Sequence, residues 1–411
     1  MKVLMASRGV MPIEAGCGGA EIVSYQLAKT MAESGHDVTF VADLDPKVFE
    51  PTPGLSVLPV GGRLQAWVRR LPACLPRWIL QHLVGNVAVA RTVRKILRRQ
   101  GDLYAVIHTH GALSTVLISW GTSTPLIYTE HDATPWSCRY RRWYERWIRK
   151  AIYRVVNVSA FRRADRVVTN FELQAKEIVR RWGISPSKVV VISNGTDAHV
   201  FRPVQVAQSR ISRIREQYGF ERYCLFVGSL TPRKSPDLLL EAVAEAGVSC
   251  VFAGDGPMRR KLERRAEQLG IAGRVAFLGG VPPHELGRIY SEADLLVLPT
   301  VSDTSPLVAL EAMACGTPVL ASRVSGLPAM IEDWKTGFLV KPGDVGQLTM
   351  AIRFLTGDAR LRRRMGRNGQ KRVREFLWPA VTDRYLSLFL AADSERFARR
   401  ASSSGAQAVS A

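Results

Sequence analysis

The chain has 411 residues, 46% of them hydrophobic, with 57 Lys and Arg against 36 Asp and Glu and a formal net charge of +21. That length and apolar content exclude a disordered or fibrous chain and suffice for two ordinary domains with substantial cores. The basic excess points to an anionic partner: a phosphorylated substrate, an acidic membrane surface or nucleic acid. The cysteines Cys17, Cys74, Cys138, Cys224, Cys250 and Cys315 are scattered, without a C-x-x-C pair. Such spacing argues against a zinc site or a disulfide framework and fits a reducing cytosol. MKVLMAS enters a strand pattern directly and reads as no signal peptide, and no apolar run reaches spanning length. The expected location is therefore cytoplasmic, peripheral on the inner face of the cell membrane.

In chain order, VLMAS is a first strand, AEIVSYQLAKTMAESG a helix and HDVTFVA a second strand. This βαβ unit carries Gly18 and Gly19 in its first loop, where a missing side chain lets a ligand approach the backbone. It lacks a G-x-G-x-x-G fingerprint. Asp43-Leu44-Asp45 has the look of a D-x-D metal motif, but at the end of such a strand it reads as a solvated acidic loop, so no metal site is expected.

From Arg63 to Gln100 the chain changes character. RLQAWVRRLPACLPRWILQHLV and VARTVRKILRRQ hold nine Lys or Arg and no acidic residue, with Trp67, Leu71 and Trp78 among Arg69, Arg70 and Arg77. In Trp136 to Arg166, Trp136, Tyr140, Trp143 and Trp147 recur at helical spacing beside Arg139, Arg142, Arg146, Arg149 and Lys150. Aromatics flanked by basic residues are the signature of a helix lying in a membrane interface, although an amphipathic helix with a solvated basic face shows the same pattern. Between the two segments, VIHTHG and PLIYTEHD place His110 and His131 at strand carboxyl ends. RVVTNFELQAKEIV and KVVVISNGTDAHVFRP close the first domain, and VQVAQSRISRIREQYGF reads as a polar linker.

From Tyr223 a regular second series follows: CLFVGS, PDLLLEAVAEA, SCVFAGDGP, a charged helix, RVAFLGGV, ELGRIYSEA and DLLVLP. Alternating buried strands and amphipathic helices predict a parallel sheet with right-handed crossovers. Arg233 and Lys234 follow its first strand, where a phosphate would bind. The run LVLPTVSDTSPLVALEAMACGTPVLA reads as strand, loop, helix, Gly316 turn and strand. Ser305 is expected to cap the helix and Pro306 to open its first turn. The amides near Leu307 and Val308 would then face an anion, while Asp303 and Glu311 accept hydrogen bonds from sugar or ribose hydroxyls.

At these residues SDTSPLVALEAMACGTPVLAS resembles the E-x7-E donor-site motif of the retaining family-4 glycosyltransferases (glycosyl transferases group 1), which have GT-B architecture. Asp303 stands where that family usually has its first Glu, and Glu311 is the second. By the same resemblance Gly18 and Gly19 match the GGAE loop that approaches donor phosphate and acceptor. His131 in YTEHD matches the His that contacts the transferred sugar or donor phosphate. GSLTPRKS is similar to G-R-L-x-x-x-K-G, which puts Lys234 in the place of the diphosphate-binding Lys and Ser229 where the family has Arg, with Arg233 beside it. GDGP and FLGGV match loops around the nucleotide base, and Ala329 stands where the family often has Glu. FLWPAVTDRYLSLFLAA resembles the final helix that crosses back to the first domain.

The resemblance implies an α/β GT-B fold: two Rossmann-like domains facing across a central cleft. The expected divisions are 1–200 for the acceptor domain, 201–222 for a linker and 223–378 for the nucleotide-sugar domain. Residues 379–393 are expected to form the crossover helix and 394–411 a disordered tail. The implied reaction is metal-independent hexosyl transfer with retention from a nucleotide-diphosphate sugar, which is a substrate; no cofactor is expected. Catalytic roles fall to His131, Asp303 and Glu311. Donor binding falls to Gly18, Gly19, Ser229, Arg233, Lys234, Leu307, Val308 and Glu311. The expected partners are the nucleotide sugar, an anionic membrane surface and a lipid-linked acceptor, with no nucleic acid. The alternatives are a nucleotide-sugar epimerase of the same architecture, transfer to a soluble acceptor, or a basic nucleic-acid-binding protein.

Overall fold

The computed structural model describes residues 1–10, 19–44, 51–60, 77–100, 103–131, 150–204, 213–303 and 305–409. Gly18, Asp45, Trp67, Leu71 and the stretch from Trp136 to Arg149 lie outside the described residues. Two parallel sheets organise the chain. Among the described residues the first has seven strands in the order β3-β2-β1-β4-β5-β6-β7, the second six in the order β10-β9-β8-β11-β12-β13. The first sheet comprises β1 (Lys2–Val10), β2 (Asp37–Leu44), β3 (Leu55–Pro59), β4 (Val106–Thr109), β5 (Leu126–Glu130), β6 (Arg166–Thr169) and β7 (Val189–Val191). The second comprises β8 (Cys224–Val227), β9 (Cys250–Ala253), β10 (Val275–Gly279), β11 (Leu295–Leu298), β12 (Val319–Ser322) and β13 (Gly337–Val340).

Both sheets are therefore doubly wound, and each reverses its strand order once, at β1/β4 and at β8/β11. Flanking loops diverge at such a point and leave a crevice beyond the strand carboxyl ends. The apolar runs form strands because both sheet faces are covered. In the second domain Leu225, Val227, Leu296 and Leu298 enter one core, while Cys224, Phe226, Leu295 and Val297 enter the other. The first sheet divides likewise, Val3, Met5 and Val106 facing one side and Leu4, Ala6 and Ile107 the other.

The halves are joined by the last helix and by the turn around Thr196. The helix Trp378–Val409 lays Trp378, Val381, Tyr385, Phe389 and Ala392 into the first domain's core. It is the expected crossover helix, and its backbone stays helical past residue 393 through the segment read as a tail. Thr196 donates its N–H to Phe376 O at 2.8 Å and accepts from Trp378 N at 3.2 Å. The segment read as a linker begins and ends in the second domain, since Phe201, Ile214 and Phe220 belong to its core. Residues 205–212 lie outside the described residues.

Gly195 sits directly under the Trp378 indole, where an added Cβ would meet the ring at 2.5 Å. Gly195→Ala is expected to cost about 1–3 kcal/mol by overpacking this junction. Urea unfolding midpoints test it, with Gly273→Ala, which meets nothing within 4 Å, as the near-neutral control.

Candidate active site

The site is built from loops at the two strand-order reversals. After β8, residues Gly228 to Ser235 form a turn buttressed from below by the GDGP loop. Leu230 N donates to Asp255 O at 2.9 Å, and Met258 N donates to Leu230 O at 3.0 Å. Gly254 has φ +145, and a Cβ there would sit 2.0 Å from Gly228 O. GDGP thus needs its glycines at least in part to let two backbones touch.

The β8 and β11 loops are locked to each other. Arg233 O accepts from Val301 N at 3.1 Å and from Thr300 Oγ1 at 2.9 Å. The Arg233 guanidinium donates to Ser302 O at 3.2 Å. Lys234 Nζ forms an ion pair with the Asp303 carboxylate, and both side chains are largely buried. Lys234 and Asp303, read separately as a phosphate ligand and a sugar ligand, are in direct contact. Ser229 is exposed beside them.

Asp303 leads into the helix Leu307–Ala314, which runs back between β11 and β12 and ends at Gly316 with φ +81. The expected cap does not form. Pro306, not Ser305, is the capping residue, and among the described residues no side chain caps the helix. Ser305 instead turns to the first domain: its Oγ accepts from Asn194 N at 3.4 Å and its carbonyl from Asn194 Nδ2 at 2.9 Å. The tertiary contact replaces the local one, so the first amides, at Leu307 and Val308, are not satisfied by a cap. An α-helix supplies no internal acceptor for those groups. Leu307 also packs against the first domain's core, which puts this helix start at the junction between domains.

Glu311, one turn further on, is partly buried and accepts a hydrogen bond from Tyr290 Oη at 2.7 Å. Burial pushes its carboxyl up to about 7, against a smaller downward pull from that hydrogen bond. Across the junction, His110 follows β4 and His131 follows β5, with His110 Nδ1 and His131 Nε2 at 2.7 Å and their rings stacked at 5.0 Å. His131 is pushed down to about 4 by burial, so it is neutral at physiological pH. Gly19 opens the helix Gly19–Glu33 after β1.

Sequence reasoning passed over His108. It is fully buried, bonds Thr129 Oγ1 at 2.7 Å and lies 4.3 Å from the His110 ring. The alternation in VIHTHG was the available signal, since residues two apart share a strand face. Asn194 was also missed, although it lies within the NGTD turn.

Two family profiles match the chain in tandem: Glycosyltransferase Family 4 over residues 17–200 and Glycosyl transferases group 1 over residues 208–372. The chain belongs to the family-4 glycosyltransferases. A D-inositol 3-phosphate glycosyltransferase of Segniliparus rotundus is 28% identical over 406 residues, spanning 95% of this chain and 88% of that protein. Among solved structures, sucrose-phosphate synthase of Thermosynechococcus elongatus superposes with a TM-score of 0.75 at 26% identity, over 95% of this chain and all of that one. Anabaena HepE, solved with UDP and glucose, gives 0.72 at 21% identity, over 95% of this chain and 100% of its own. The fold of this glycosyltransferase is thus GT-B, as expected from the sequence.

The raised Glu311 pKa has a stability consequence of definite sign. Between its ordinary value of 4.5 and about 7, the folded state keeps a proton that the unfolded chain has released. Stability therefore falls as pH rises through that window and stays lowered above it. Glu311→Gln abolishes this component. The melting-temperature difference, variant minus parent, is expected to shift in favour of the variant from pH 4.5 to 7 and then level off; a flat difference would exclude the burial effect.

Proposed function

We propose that this glycosyltransferase moves a hexosyl group, with retention and without a metal, from a nucleotide-diphosphate sugar to a lipid-linked acceptor at a membrane surface. The observation that carries the donor assignment is the convergence of Lys234, Asp303 and the uncapped start of the helix Leu307–Ala314 at one strand-order reversal. Diphosphate oxygens need cationic and N–H donors, and hydroxyls need carboxylates; this corner offers both. The sugar complex named for Anabaena HepE agrees with such a ligand.

In the proposed reaction the anomeric C–O bond to the β-phosphate breaks and negative charge develops on the departing diphosphate. Lys234, Arg233 and the amides of Leu307 and Val308 stabilise that charge, an effect strongest where water is excluded. The acceptor hydroxyl forms the new C–O bond on the same face and passes its proton to the departing phosphate oxygen. Asp303 is held by Lys234, which suits it to orienting sugar hydroxyls and not to nucleophilic attack. Glu311 holds the ribose, His131 with Asp303 orients the transferred sugar, and Gly19, at the start of the helix after β1, leaves donor phosphate and acceptor room to approach the backbone.

Lys234→Ala is expected to weaken a nucleoside diphosphate and its sugar by about tenfold or more, since a charged hydrogen bond contributes roughly 1.5–3 kcal/mol. The unphosphorylated nucleoside loses little. Calorimetric titration of all three decides it, and an equal loss would mean that Lys234 serves folding. NMR of the product anomer tests retention directly, with inversion overturning the front-face reaction.

The lipid-linked acceptor rests on the basic aromatic segments at 63–100 and 136–166. Among the described residues no helix is long and apolar enough to cross a membrane, so contact with the bilayer would be at its surface. A second reading, a soluble phosphorylated acceptor, is favoured by the name of the Segniliparus relative. Co-sedimentation with anionic vesicles separates them. Binding is expected to weaken with salt without vanishing, because each basic residue contributes about 1 kcal/mol of screened attraction while aromatic insertion is unscreened. It is expected to fall further in a Trp136/Trp143/Trp147 to Ala variant. Indifference to vesicles with transfer to an inositol phosphate would establish the soluble acceptor.

A further inference from the structure

The histidines beneath the cleft form an ordered stack. His131 Nε2 meets His110 Nδ1 at 2.7 Å; the His110 ring lies 4.3 Å from that of His108; His108 Nε2 meets Thr129 Oγ1 at 2.7 Å. Thr129 Oγ1 lies 3.3 Å from the Tyr385 hydroxyl, so the stack rests on the crossover helix. The other nitrogen of each inner ring, His110 Nε2 and His108 Nδ1, is buried with no partner among the described residues. We propose that His110 is a positioning residue that holds His131 in the tautomer protonated at Nδ1, so that His131 offers the bound substrate an N–H donor.

A neutral imidazole has one N–H and one lone pair, and its surroundings decide which nitrogen takes which. A buried N–H without an acceptor is the rarer and costlier orphan. The proton of His110 therefore resides on Nδ1, which has a partner, and not on Nε2, which has none among the described residues. Nδ1–H of His110 then donates to Nε2 of His131, which must be the bare nitrogen of that ring. The His131 proton is left on Nδ1, the nitrogen not engaged by His110. The same rule puts the His108 proton on Nε2, donating to Thr129. Burial lowers the pKa of all three rings, that of His108 to about 3, so each is neutral and the tautomer argument applies.

The consequence is chemical. A neutral Nδ1–H can bond a hydroxyl or phosphate oxygen as donor, but it cannot act as a base toward the acceptor hydroxyl. This agrees with a phosphate oxygen taking that proton. The inference rests on the proposed placement of His131 against substrate, and its test separates the two. Long-range proton–nitrogen NMR of the full chain labelled in histidine reads each ring nitrogen directly. His131 is expected to show a protonated Nδ1 and a bare Nε2. His110→Phe, which keeps the ring and removes the donor, is expected to lower kcat by about tenfold to a hundredfold, as loss of an orienting partner does elsewhere. The donor KM is expected to change less, and His110→Asn, whose amide N–H can donate, to recover much of the rate. A proton on His131 Nε2, or an unchanged kcat in a folded His110→Phe protein, overturns the proposal. Nε2 protonation with loss of transfer in His131→Ala overturns the tautomer alone. Nδ1 protonation with full transfer in His131→Ala upholds the tautomer and overturns the placement of His131 at the substrate.

Discussion

The contact on which the site depends is the pair of hydrogen bonds from Asn194 to Ser305. Through it the start of the helix Leu307–Ala314 is referenced to the first domain and not only to the sheet it grows from. Thr196, two residues further on, is tied to Phe376 and Trp378, and Gly195 between them lies against the Trp378 ring. One short turn therefore fixes two things: where the helix amides point and where the crossover helix sets out. In a two-domain enzyme the relation between halves is otherwise left to side-chain contacts of modest strength, and domain motion is the usual expectation. Here the junction adds backbone hydrogen bonds at Thr196 and an aromatic ring over a glycine to the Asn194–Ser305 contact.

The two sides of that junction differ in electrostatics. On the second domain, Lys234 pairs with Asp303 and Arg233 with the Ser302 carbonyl in a largely buried corner. Their mutual bonds hold the side chains in position, and such preorganisation is what makes a charged group effective toward developing charge. On the first domain the cleft is bordered by neutral imidazoles. Three histidines stacked within about 5 Å of one another cannot all carry charge, and burial settles the matter in favour of none. Charged side chains thus border this junction from the second domain, and neutral imidazoles from the first.

Glu311 stands between these regimes. It belongs to the charged half by sequence, yet burial, only partly offset by the hydrogen bond from Tyr290, pushes its carboxyl up to about 7. A carboxylate so placed is sensitive to what covers it: a ligand hydroxyl donating to it would favour the ionised form, as Tyr290 already does.

Much of this was legible in the chain. Strands buried on both faces produce unbroken apolar runs such as LLVL, and their shortness and turn-residue flanks separate them from the longer amphipathic helices, so the parallel sheets and their carboxyl-end loops follow from local pattern. Lys234, Asp303 and Glu311 could be singled out as candidates because the residue types suit diphosphate and hydroxyls at strand ends. Pairings between residues far apart in sequence were not legible, because no local period encodes them. Lys234 meets Asp303 across 69 residues, and Asn194 meets Ser305 across 111. The Ser305 cap shows why: a hydroxyl beside a helix start has a local acceptor role open to it, and only the arrival of Asn194 from the other domain decided that its oxygen would be used elsewhere. His108 is the same case in reverse, a residue with no motif of its own, given a role by the imidazole above it and the crossover helix below. The sequence determined the two sheets and the chemistry available at their ends; tertiary packing decided which of those groups meet.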